Sequence, residues 1–161
     1  MKKTVFANSN VGGRGKSTVI KLIYENIIQK YNNSNVLKNF IELENIDKNN
    51  MSIISKKDDI RAIFEIDKVK IGIESQGDPK SQLPASIDMF IENQCDIIIV
   101  ACRSSGETKQ KVLSTESSGY RVIWIQNATN TEMKDILNKH YVDYFMQIFS
   151  EVFNELNSSR V

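Results

Sequence analysis

Residues 4–18 read Thr4-Val-Phe-Ala-Asn-Ser-Asn-Val-Gly-Gly-Arg-Gly-Lys-Ser-Thr18: a short apolar run, a polar glycine-rich turn, then Lys-Ser-Thr. From Lys16 the apolar residues fall at Val19, Ile20, Ile23, Ile27 and Ile28, a helical period that continues to about Tyr31. The order is therefore strand, turn, helix. Gly12, Gly13 and Gly15 lack a Cβ, so backbone N–H groups can turn inward around phosphate oxygens, and the helix start adds partial positive charge. In such a cradle Lys16 reaches the β- and γ-phosphates and the Ser17 hydroxyl ligates magnesium, with Asn10, Val11, Arg14 and Thr18 completing the loop. The strict pattern GxxxxGK[ST] asks for glycine where this chain has Asn10. The plainer alternative is a glycine-rich turn capped by an ordinary amphipathic helix.

Working outward, Phe40-Ile41 with Leu43 suggests a second short strand, and Asp47 to Lys57 is polar and loop-like. Asp59 to Glu65 and Lys68 to Ser75 read as two strands joined by a tight hairpin around Asp67. Ser81 to Asn93 reads as a helix with Ile87, Phe90 and Ile91 inward, and Asp96 to Cys102 as a strand apolar on both faces. Glu107 to Leu113 is a short helix, and Arg121 to Gln126 is a second two-faced strand. Asn130 or Thr131 caps a long last helix whose stripe runs through Met133, Ile136, Leu137, Tyr141, Tyr144, Ile148, Val152 and Leu156. Strands alternating with helices predict an α/β domain over residues 1–161, with a mostly parallel sheet, one antiparallel hairpin and helices on both faces.

Ala7 to Thr18 resembles the deviant Walker A loop of the plasmid-partition and Min-type cell-division ATPases, roughly KGGxGK[ST]T. That group belongs to the class of P-loop NTPases that also contains signal-recognition GTPases and dethiobiotin synthetase. The resemblance implies a three-layer P-loop NTPase fold, with ATP and Mg2+ as the bound group. It covers a dozen residues, and the family's signature lysine, which binds phosphate across a nucleotide-sandwich dimer, falls at Val11; Arg14 offers a replacement charge. By the same resemblance Glu42, in Phe40-Ile41-Glu42-Leu43-Glu44, matches the acidic segment after the second strand that positions the attacking group. Asn127, after the Arg121–Gln126 strand, resembles a contact to the adenine base.

A P-loop enzyme needs a carboxylate to hold magnesium. Ile73-Glu74-Ser75-Gln76-Gly77-Asp78 offers two, of which Asp78 is preferred because Gly77 lets the backbone approach the phosphates. Arg103, after the Asp96–Cys102 strand, lies where open α/β sheets bind ligands and suits phosphate or a phosphorylated acceptor. Lys16, Asp78, Glu42 and Arg103 are the expected catalytic set, with Ser17 and Asp78 on the metal. The expected activity is a small Mg-dependent ATPase or nucleotide switch. The alternatives are a small-molecule kinase or ligase, and an ATP-binding module with little hydrolysis.

The composition narrows the classes further. Lys plus Arg number 21 and Asp plus Glu 20, a net charge of +1 with no basic stripe, so a nucleic-acid partner is not expected. No apolar run approaches a membrane span or a signal peptide's core, which points to the cytoplasm. Cys95 and Cys102 lack metal-ligand spacing and read as reduced core residues. The aromatics of the last helix are explained mostly by core packing, and the remainder by a homodimer face. His140, the single histidine, reads as structural.

Overall fold

The computed structural model describes residues 2–10, 16–31, 41–42, 59–126 and 130–160. Strand β1 (Lys3–Asn10) and helix α1 (Lys16–Tyr31) stand on either side of residues 11–15. There follow β2 (Ile41–Glu42), β3 (Arg61–Ile66), β4 (Val69–Glu74), α2 (Leu83–Glu92), β5 (Ile97–Arg103), α3 (Glu107–Ser114), β6 (Tyr120–Ile125) and α4 (Lys134–Ser158). The six strands form one sheet in the order β2-β3-β4-β5-β1-β6. Strands β4, β5, β1 and β6 are parallel, whereas β3 runs antiparallel to both β4 and β2. The β3–β4 hairpin turns on Asp67 and Lys68, at φ 47° and 73°, the positive-φ pair that a two-residue hairpin demands.

Strand β1 outruns its apolar residues. Asn8, Ser9 and Asn10 pair with Ala101, Cys102 and Arg103 of β5, so ladder pairing overrides their weak strand propensity.

Alternating strand residues feed two cores. Phe6, Ile71, Ile97 and Ile99 pack with Val19, Ile20 and Ile23 of α1 and with Phe145 and Phe149 of α4. Val5, Ala7, Ile98 and Val100 pack with Ile87 and Phe90 of α2 and Val112 of α3. Helices thus cover both faces of the sheet, as the two-faced apolar strand β5 requires. Phe6 meets Phe145 edge-on at 5.0 Å, and Phe149 stacks on Phe145 at 6.1 Å and on Phe153 at 5.9 Å.

This aromatic line corrects the expected stripe of α4. The buried face runs through Asn138, Tyr141, Phe145, Phe149, Val152, Phe153 and Leu156, while Met133, Ile136 and Tyr144 stay exposed. Phe145, Phe149 and Phe153 take the buried face because each buries a large apolar ring with no hydroxyl to satisfy, unlike Tyr144. Asn130 does organise the approach to α4: its Oδ1 accepts from the backbone N–H of Glu132 and Met133 at 3.0 and 3.1 Å. Strand β6, read as two-faced from the sequence, lies at the sheet edge. Its Trp124 is 38% exposed and lies under Lys109 Nζ, 5.8 Å from the ring centroid. At the far end of α4, Arg160 pairs with buried Asp96 and donates to the Lys68 carbonyl, tying the chain's end to the sheet.

Cys95 and Cys102 are buried and form no disulfide with each other. Among the described residues no helix is long and apolar enough to cross a membrane.

Four buried acids make the fold sensitive to alkali. Burial pushes the Cys95 thiol from 9.0 to about 12 and the Tyr24 phenol from 10.0 to about 12. It raises Tyr120 and Tyr141 as well. The folded state therefore keeps protons that the unfolded chain has released. Stability from these groups is complete below about pH 9 and falls as pH rises toward 12, each group giving up ~1.4 kcal/mol per pH unit once its unfolded form titrates. Urea denaturation midpoints should be flat from pH 7 to 9 and then drop steeply; a flat profile through pH 11 would contradict the burial of these groups.

Candidate functional site

The topology itself points to a crevice. Strand β1 leads through α1 to β2, at one edge of the sheet, whereas β5 leads through α3 to β6, on the other side of β1. The two connections run over opposite faces, since α1 and α3 belong to different cores. Neighbouring parallel strands whose connections part in this way leave room at their carboxyl ends, the usual place for a ligand in an open α/β sheet. Asn10 and Arg103 are register partners at that rim. Lys16, the first residue of α1, comes six positions after Asn10, and the N-terminus of that 16-residue helix favours an anion.

Two residues below the rim, Asn8 pairs with Ala101 on one side and Ile125 on the other. By alternation it shares the face of Phe6, the side covered by α1 and α4. It is 2% exposed, and both its amide nitrogen and its amide oxygen are buried without a hydrogen-bond partner among the described residues. An orphaned buried amide costs about 1–3 kcal/mol per polar group, so a chain that keeps one at a strand end has a use for it. Sequence reading places Asn8 inside the loop motif but gives it no role. Its signal was an amide at an inward position of a strand that is otherwise apolar on that face.

The loop after β4 bends back over β5. A Cβ on Gly77 would lie 2.6 Å from the carbonyl carbon of Ala101 and 2.7 Å from its oxygen, so only glycine fits without a shift. The expectation was that Gly77 clears a path to phosphate; the close approach is to the backbone of β5. This crossing delivers Asp78 to Arg103, whose Nε donates to Oδ1 at 3.1 Å. The backbone N–H of Arg103 is held in turn by the buried Thr108 hydroxyl at 3.0 Å. Both charged side chains remain open to solvent, at 40% for Arg103 and 62% for Asp78, so their pairing is cheap to exchange for another partner.

Glu74 has a different task. It is 1% exposed on the opposite face, where Oε2 accepts from Arg61 Nε and Ser86 Oγ, each at 2.6 Å, and Oε1 accepts from the Gln76 backbone N–H at 3.0 Å. Its acceptor sites are spent on joining β3, β4 and α2. Of the two acids considered for magnesium, Asp78 alone faces the crevice rim.

The remaining candidates divide. Glu42 ends β2, four strand positions from β1, which at ~4.8 Å per strand puts its backbone roughly 19 Å away. The structure does not bring it to the crevice. Lys16, Ser17 and Thr18 form the first turn of α1. Val11, Gly12, Gly13, Arg14, Gly15 and Asn127 lie outside the described residues. Strand β5 separates β1 from β4, so the loop carrying Asp78 reaches the rim only through the Gly77 crossing. Among the described residues no group of three or more His, Cys, Asp or Glu side chains converges on a metal position.

Comparisons of the chain with protein-family models, with curated proteins and with solved structures return no match. The functional reading therefore rests on residues and geometry.

Proposed function

We propose that this chain is a P-loop nucleotide-binding protein that holds a nucleoside triphosphate with magnesium, and that it works as a small ATPase or nucleotide switch of the partition-like class. The observation that carries the reading is the join between β1 and α1: a parallel strand at the sheet's crevice ends at Asn10, five residues that include Gly12, Gly13 and Gly15 follow, and a helix packed on the sheet begins at Lys16. That is the placement a phosphate cradle needs. The unpartnered Asn8 amide under the same strand end and the solvent-facing Asp78–Arg103 pair at its rim support the reading too.

Residues 11–15 and Lys16 would hold the phosphates, and Ser17 with Asp78 would hold magnesium, which keeps most of its waters and needs few protein ligands. The bound group supplies the phosphoryl chemistry and the metal charge. The chain supplies position: Arg103 is a fixed-charge fork suited to a phosphate oxygen, and the backbone bond to Thr108 steadies it. The acid that the resemblance places at Glu42 is not part of this arrangement.

Lys16→Ala tests the reading. It should weaken ATP binding by about 100-fold, read as loss of ATP-dependent thermal stabilisation; unchanged affinity would end the P-loop assignment. Asp78→Asn should weaken binding with Mg2+ more than binding in EDTA, and equal losses would remove Asp78 from the metal site. Steady release of inorganic phosphate without an added acceptor marks an ATPase, whereas acceptor-dependent turnover marks the kinase alternative.

A further inference from the structure

Helices α1 and α4 pack side by side, and between their N-terminal halves lies a cleft of about 480 Å3 that no part of the preceding proposal uses. Its volume is that of a small-molecule site. Thr18 stands at one end, in the first turn of α1 immediately after Lys16 and Ser17. From Thr18 to Asn26 the lining follows α1 for eight residues, about 12 Å at 1.5 Å per residue. That is room for a ribose and a base beyond the phosphates.

The lining has the chemistry of a base pocket. Leu22 and Val142 supply apolar surface. Asn138 on α4 also lines the cleft; it is 5% exposed, and among the described residues nothing hydrogen-bonds its side chain. An amide lining a cavity offers a ligand there both a donor and an acceptor. The ionisable lining carries Glu25, Asp135 and Asp143 against Lys21 and Lys139. That balance disfavours a phosphate inside the cleft and leaves it to an uncharged group.

We propose that the α1–α4 cleft is the base subsite, and that the Asn138 amide reads adenine; this rests on the nucleotide-binding reading above. An Asn side chain pairs bidentately with the N6 donor and N7 acceptor of adenine, whereas guanine presents two acceptors, O6 and N7, on that edge. The subsite therefore selects ATP over GTP through Asn138, the fifth residue of α4.

The test compares Mg-ATP, Mg-GTP, magnesium tripolyphosphate and adenosine by calorimetry on the full chain and on two variants. Asn138→Leu removes the amide at similar volume, and Lys139→Trp, at an exposed rim position, narrows the cleft without touching the core. Each variant should lose ATP affinity by tenfold or more and keep tripolyphosphate affinity within twofold. Asn138→Leu should also erase the preference for ATP over GTP, with a melting temperature no lower than the parent's. ATP affinity unchanged in both variants, while Lys16→Ala abolishes it, overturns the base subsite and spares the phosphate cradle. If instead Lys16→Ala leaves ATP affinity intact, the cradle fails, and adenosine decides the subsite: binding that Asn138→Leu abolishes upholds it, and binding that is absent or unchanged in that variant overturns it.

Discussion

Glu74→Ala should lower stability by about 3 kcal/mol, and with it the melting temperature by roughly 6–12 °C for a domain of this size. The substitution leaves Arg61 Nε, Ser86 Oγ and the Gln76 N–H without their acceptor in a place that water scarcely reaches. Breaking a buried charge pair by removing one partner costs roughly 3–5 kcal/mol, and the low end applies because Arg61 keeps 20% of its surface exposed. Glu74→Gln, which retains shape and an acceptor oxygen, should cost less than half as much. Magnesium dependence of nucleotide binding should not change in the glutamine variant. A glutamine variant of full stability whose binding had lost its magnesium dependence would instead make Glu74 the metal's acid. Thermal melts with and without Mg2+ separate the two cases.

Gly77→Ala is expected to cost about 2 kcal/mol, within the range for overpacking a tight contact. The new methyl group meets the backbone of Ala101 and its Cβ, the latter at 2.9 Å, and a strand paired on both sides cannot swing aside as a surface side chain would. The loop must move instead, and Asp78 moves with it away from Arg103. Gly77→Ala should therefore weaken Mg-ATP binding about as much as Asp78→Asn does, although its own side chain carries no charge. Gly106→Ala is the control. Nothing lies within 4 Å of a Cβ there, so any loss comes from its φ of +86° and not from a clash. Equal binding defects in the two glycine variants would detach the loop crossing from the site.

Much of the fold was legible because apolar periodicity reports burial. Ile97 to Cys102, apolar at every position, had to be covered on both faces, and it is. The hairpin around Asp67 followed from a polar break between two apolar runs. Where the reading failed, two helical stripes competed. Met133, Ile136 and Tyr144 lie on one period of α4, and Tyr141, Phe145 and Phe149 on another. The difference is decided by what each face meets, here Phe6 on β1 and Tyr31 on α1. The place of Glu42 was illegible for a different reason: adjacency in sequence to a strand says nothing of where that strand joins the sheet, and β2 joins at the far edge.

The amino-acid sequence alone determined the α/β class, the strand before Gly12 and the helix from Lys16, and the acids that could serve a phosphate site, because residue type and period are local properties. Tertiary structure decided which acid faces the crevice. Glu74 and Asp78 are four residues apart, yet one is spent on Arg61 and Ser86 beneath α2 and the other meets Arg103 at the rim. It also set the buried Asn8 amide and the cleft-lining Asn138 on the side of the sheet that carries α1 and α4. Strand order and helix packing bring distant residues together, and no local pattern records those distances.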